Sequence, residues 1–178
     1  LSKPRSQYLP LLEMCVEEDP SDDRSMFWLG REYYFYGKYD ECIRTLQRHL
    51  KMPSAQWDEE RSASMRFISN AYSMKGDRPE ARRWLYRAIA ECPRVREPYL
   101  HMARLGYQEN DWPLVFLMVK QALSITQKSG SYLLEAESWG YSLYDYGAIC
   151  CYRLGLYKES YDYALQALQY APNDERLK

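Results

Sequence analysis

Four times along this chain, an apolar-periodic stretch stops at a Gly or Asn and restarts two residues later. The turns read Gly37-Lys38-Tyr39, Gly76-Asp77-Arg78, Asn110-Asp111-Trp112 and Gly155-Leu156-Tyr157. Gly and Asn tolerate the left-handed backbone that ends a helix. Prolines close the second stretches at Pro53, Pro93 and Pro172, and the N-terminal one at Asp19-Pro20. Proline lacks the amide hydrogen and clashes with the preceding turn, so a helix does not pass through it. The pattern predicts antiparallel helix pairs in series.

The turns are spaced 39, 34 and 45 residues apart. A period of 34 is one helix–turn–helix unit, so the longer intervals need extra residues, which are placed in the first helices. Ser54 as N-cap, with Asp58 and Glu59 at the positive helix end, predicts a helix from about 55 to 75. Lys128-Ser129-Gly130 reads as a stop, and a second long helix is expected from about 132 to 154. Leu114, Leu117, Met118 and Ala122 recur at helical spacing, as do Tyr161, Ala164, Leu165 and Leu168. No stretch alternates with period two, and Thr, Val and Ile are scarce, which argues against a sheet.

The chain has 178 residues, is 46% hydrophobic and carries a net charge of −1. That suits one continuous core. It gives no basic stripe for nucleic acid and no apolar run long enough for a membrane span. The start, Leu1-Ser2-Lys3-Pro4, has neither an initiator Met nor the apolar region of a signal peptide; a piece of a longer chain is expected.

Cys15, Cys42, Cys92, Cys150 and Cys151 form no C-x-x-C pair, and His49 and His101 show no metal-ligand spacing. The cysteines are expected to fill core, in a reducing cytoplasm. No metal, cofactor or catalytic group is expected. The acidic runs Glu17-Glu18-Asp19 and Asp58-Glu59-Glu60 read as solvated faces or helix-start charges.

The turn residues carry a family pattern around them. The first repeat has Leu29-Gly30, Tyr33, Gly37, Tyr39, Leu46 and Leu50, with Cys42 and His49 where Ala is usual. The second has Ile68-Ser69, Tyr72, Gly76, Ala81, Leu85, Ala88 and Pro93. The third has Met102-Ala103, Asn110, Trp112 and Ala122-Leu123. The fourth has Gly147-Ala148, Gly155, Tyr157, Ala164, Ala167-Leu168 and Pro172, with Cys151 for the usual Tyr. The chain resembles the tetratricopeptide repeat family over nearly its whole length.

The resemblance implies an all-α, right-handed superhelical solenoid of antiparallel helix pairs, in a single domain over 1–178. Its parts would be a lone N-terminal helix at 1–20, repeats at 24–53, 54–93, 95–128 and 131–172, and the start of a C-terminal cap at 173–178.

The resemblance also implies a groove lined by the first helices. Register from the turns puts Phe27, Arg31 and Tyr34 there, then Arg66, Asn70 and Ser73, then Leu100, Arg104 and Tyr107, then Asp145, Ile149 and Tyr152. Arg31, Arg66 and Arg104 would form a ladder suited to an extended acidic segment or a carboxylate terminus. The competing reading pairs these arginines with Glu32, Glu97 or Asp145 as ordinary surface ion pairs. Phe27 and Leu100 stand where the family's carboxylate-clamp subset has lysines, which departs from chaperone-tail binding.

Five stretches are similar to the tetratricopeptide region that follows the catalytic domain in some bacterial family 2 glycosyltransferases. They are Tyr8-Leu9-Pro10-Leu11-Leu12-Glu13, Leu29-Gly30-Arg31-Glu32-Tyr33, Glu60-Arg61-Ser62-Ala63-Ser64-Met65-Arg66, Arg96-Glu97-Pro98-Tyr99 and Ala171-Pro172-Asn173-Asp174-Glu175-Arg176-Leu177. No Asp-x-Asp motif of the sugar-nucleotide type is present. The expected function is a non-catalytic scaffold for a protein or peptide partner, a substrate or the parent's own catalytic domain. The alternative is self-association through the aromatic last repeat, which carries Trp139, Tyr141, Tyr144, Tyr146 and Tyr152.

Overall fold

The computed structural model describes residues 8–172. The expected cap at 173–178 lies outside the described residues, as do the first residues of the chain. Nine α-helices and no strand occur among the described residues. They fall into two compact units, one ending at Cys92 and one beginning at Pro93.

The N-terminal unit holds α1 (Tyr8–Glu18), α2 (Asp23–Phe35), α3 (Tyr39–His49), α4 (Asp58–Met74) and α5 (Arg78–Glu91). Here α2 pairs with α3 and α4 with α5, while α1 lies on α2 and α3 on α4. Met26, Phe27, Leu46, Ile68 and Leu85 are fully buried. Each such side chain contributes about 1.5–3 kcal/mol of apolar burial. At one end Leu9 and Val16 of α1 bury against Met26 and Leu29, and Tyr33 donates a hydrogen bond to Glu13 over 2.9 Å.

The C-terminal unit holds α6 (Glu97–Gln108), α7 (Trp112–Ser124), α8 (Ser142–Arg153) and α9 (Tyr157–Tyr170). Consecutive helices pack on one another in sequence, around Leu100, Met102, Val115, Val119 and Leu143.

The four turns share one geometry. Gly37, Gly76, Asn110 and Gly155 have φ of 71°, 82°, 58° and 75°, and no other described residue has a positive φ. The amide of the next residue donates five places back in every case. Lys38 bonds Tyr33, Asp77 bonds Tyr72 and Asp111 bonds Gly106, each at 2.9 Å, and Leu156 bonds Cys151 at 2.8 Å. This is the Schellman closure of a helix end. In two turns the next residue then starts the following helix: Asp77 accepts from the Glu80 amide and Asp111 from the Leu114 amide.

Two sequence expectations are corrected. The helix predicted over about 55–75 spans Asp58–Met74, but its N-cap is Trp57, and the Ser54 hydroxyl contacts the Ser21 carbonyl instead. The long helix predicted over about 132–154 begins only at Ser142. Before it the chain is irregular, with one 3-10 turn at Ala136–Trp139. The Ser129 and Ser131 hydroxyls accept the Ser131 and Leu133 amides. Such local side-chain bonds offer the backbone an alternative to a helix.

All five cysteines are thiols. Cys42, Cys92, Cys150 and Cys151 are buried as expected, whereas Cys15 is exposed.

Candidate functional site

Each unit places its share of the expected groove residues in three rows, counted back from the turn. In the row ten places before the turn, three of the four residues lie inside, and Asp145 is half-buried. Phe27 is 0% exposed and Arg66 is 5% exposed, and Leu100 is also buried. The Phe27 ring sits 5.6 Å from Trp28, 5.8 Å from His49 and 6.5 Å from Phe67. Phe27 and Arg66 therefore serve the interior and offer no surface to a guest. Arg31, Asn70 and Arg104, six places before the turn, are half-buried. In the row three places before the turn, Tyr34 is half-buried, whereas Tyr107 and Tyr152 are exposed.

In the N-terminal unit, α2 builds an aromatic and cationic face. The Arg31 guanidinium lies 4.8 Å from the Trp28 ring centre and 5.1 Å from that of Phe35. Trp28, Arg31 and Phe35 are spaced three and four apart, so they share one helical face. Tyr34 joins a ring cluster with Phe35, Tyr39 and Phe67, at 5.6, 5.9 and 5.6 Å. A cleft of about 360 Å³ opens beside this face, lined by Tyr8, Leu12, Trp28, Arg31 and Glu32. Its walls combine flat apolar surface with one delocalised cation and the buried Glu32, and aromatic rings beside an arginine are common at protein-binding hot spots.

In the C-terminal unit, the connector between α7 and α8 lies on α6. Arg96 donates to the Ile125 carbonyl over 2.8 Å, and its guanidinium stacks 3.8 Å from the Trp139 ring centre. Burial pulls the Arg96 pKa down. Glu97 accepts from the Ser138 hydroxyl at 2.8 Å and from the Glu135 amide at 3.2 Å. His101 Nε2 lies 2.8 Å from Glu135 Oε2, and Arg104 donates to Glu137 over 2.6 Å. Burial works against the charge of Arg104, but its bonds to Glu137 and Tyr146 raise its pKa. A short acidic segment of the chain itself therefore covers the place marked for a guest on α6. Tyr107 packs its ring on Trp112 and Tyr146, at 5.7 and 5.4 Å. Tyr152 meets Tyr157 at 5.7 Å and is 63% exposed.

Sequence reasoning missed Trp28 and Glu137. Trp28 was legible, three places before Arg31 on the same face. Glu137 was hidden inside a stretch read as helix.

Solved structures of low sequence identity share this architecture. MamA covers 97% of this chain and 91% of its own, with a TM-score of 0.73 at 15% identity. PilF of Pseudomonas aeruginosa covers 96% of this chain and 72% of its own, with a TM-score of 0.71 at 13% identity. A thermophilic TPR protein of Thermus thermophilus covers 97% and 86%, with a TM-score of 0.60 at 18% identity. The fold is of the tetratricopeptide type. No family model matches the chain, and no curated protein matches it.

Proposed function

We propose that this tetratricopeptide-type chain is a non-catalytic scaffold that docks a protein or peptide partner, anchored at the cleft of Trp28 and Arg31. The single observation that carries this reading is the pairing of an open aromatic wall with a guanidinium at that cleft. Trp, Tyr and Arg give large rigid contact area and a fork for carboxylates at low entropic cost. The partner segment is extended and acidic, with an apolar side chain beside a carboxylate. The second unit supports that chemistry, because α6 holds Glu135 and Glu137 of its own chain through His101 and Arg104.

No helix among the described residues is long and apolar enough to cross a membrane. The thiol state of all five cysteines fits a reducing compartment such as the cytoplasm. The five stretches quoted above extend the reading to a parent: a bacterial family 2 glycosyltransferase, for which this scaffold would hold a substrate, a partner or the catalytic domain. Reading the parent gene for an adjoining sugar-nucleotide domain tests that part.

A second reading has its own observation. Tyr157, Tyr161 and Leu165 form an exposed stripe at four-residue spacing on α9, which suits self-association. Light scattering separates the two, since a monomer at high concentration removes the second.

Selection of a displayed random-peptide library against the chain tests the docking reading. Enriched peptides should pair a carboxylate with an aromatic or aliphatic residue. They should bind the Arg31→Glu variant about tenfold more weakly or worse, the loss of one charge-assisted contact.

A further inference from the structure

We infer that Asp23, His49 and Glu60 form a site for a divalent transition-metal cation of the zinc, cobalt or manganese class. One ligand atom of each side chain lies within 4.8 Å of the others. Three helix ends converge to bring them together, all within the N-terminal unit. Asp23 opens α2, His49 closes α3 and Glu60 stands in the first turn of α4.

The position of His49 is the first reason to read a ligand here rather than helix-start charge. Twelve residues after the turn, the other three repeats place Ala88, Ala122 and Ala167, each fully buried. Only the first repeat puts an imidazole at that place, and it too is 0% exposed. Burying a polar ring where a methyl suffices costs free energy unless both nitrogens are used.

One nitrogen is used. Nδ1 lies 2.9 Å from the Ser64 hydroxyl. The other, Nε2, is buried and makes no hydrogen bond among the described residues. It faces Glu60 Oε1 across 3.5 Å.

That arrangement suits a metal-bound imidazole. A hydrogen bond on the outer nitrogen fixes the ring and leaves the lone pair of the inner one for the ion. With the proton on Nδ1, the Nε2 lone pair confronts the Glu60 carboxylate, with Asp23 in the same cluster, and positive charge among them removes the repulsion. The Phe27 ring, 5.8 Å from the imidazole, adds an apolar wall. Zinc-type ions hold N and O ligands at about 2.0–2.2 Å, which places ligand atoms roughly 3–4 Å apart. A small turn of the half-exposed Asp23 side chain closes the site to that size. An imidazole in the set selects transition metals over calcium or magnesium. Three protein ligands leave a position for water. The bound ion would staple the start of the second repeat to both helices of the first.

The test uses the whole chain, stripped with a chelator and titrated with Co2+ and then Zn2+. One ion should bind per chain, with Co2+ absorption bands that Zn2+ displaces and a melting midpoint that rises with the ion. His49→Ala, which installs the residue of the other repeats, should abolish binding. Asp23→Asn, at a half-exposed position that leaves the core intact, should weaken it at least about tenfold, and Ser64→Ala about 10–100-fold. A wild-type chain that takes up no Zn2+ or Co2+ saturably overturns the inference. So does binding of equal strength in the wild type and the Asp23→Asn variant.

Discussion

Arg104 Nη2 donates to Glu137 Oε1 over 2.6 Å, fastening the connector between α7 and α8 onto the α6 position that the sequence marks for a guest. The pair is part-exposed, with 35% and 48% of the two side chains accessible. Its worth to stability is therefore under about 1 kcal/mol, and its effect is local. Arg104→Glu should speed amide exchange over the connector while leaving α8 and α9 protected. Adding Glu137→Arg should restore slow exchange. Hydrogen-exchange mass spectrometry reads both.

The thiols give a second test. Burial pushes Cys42 and Cys150 up to about 12 and raises Cys151 as well. Thiolate is the reactive form, so the buried cysteines should resist a thiol reagent at neutral pH. Only Cys15 is exposed, and one thiol per folded chain should react, against all five after unfolding. Linkage fixes the sign with pH. A raised folded pKa means the fold favours the neutral thiol. That contribution is complete below the ordinary value of 9.0 and fades as pH climbs toward about 12. Chemical melts across the alkaline range should lose stability there, and a Cys42→Ala variant should lose less.

The turn geometry makes a third prediction. Gly76 holds φ at 82°, where an added Cβ meets no neighbour within 4 Å. The cost of Gly76→Ala is therefore backbone strain alone, about 1–2 kcal/mol. Urea unfolding should show that loss with an unchanged slope.

These residues also show what the sequence made readable. The left-handed turns were legible because Gly and Asn are nearly forced there, and all four expected positions carry the positive φ. Close helix approach was legible at Leu29-Gly30, where a Cβ on Gly30 would collide with the Leu46 side chain.

The connector was not legible. Tyr132 to Glu137 has helical composition, and local serine bonds together with long-range bonds to Glu97, His101 and Arg104 hold it otherwise. The site was legible in part, for the same kind of reason. Periodicity gives the face of a helix but not the depth at which a neighbouring pair covers it, so it puts Phe27 and Arg66 on the groove face while the packing buries both. The meeting of Asp23, His49 and Glu60 depends on three helix ends converging, which no local spacing reports.

Capture of an acidic, extended protein segment by the cleft beside α2 is open to direct measurement. Calorimetric titration of one library-selected acidic peptide into the wild type and into Trp28→Ala and Arg31→Glu variants tests it most directly. The wild type should bind it saturably. Each variant should lose about tenfold or more, from a buried aromatic contact or a charge-assisted bond, with helix content unchanged by circular dichroism. Equal affinity in all three well-folded proteins would contradict it.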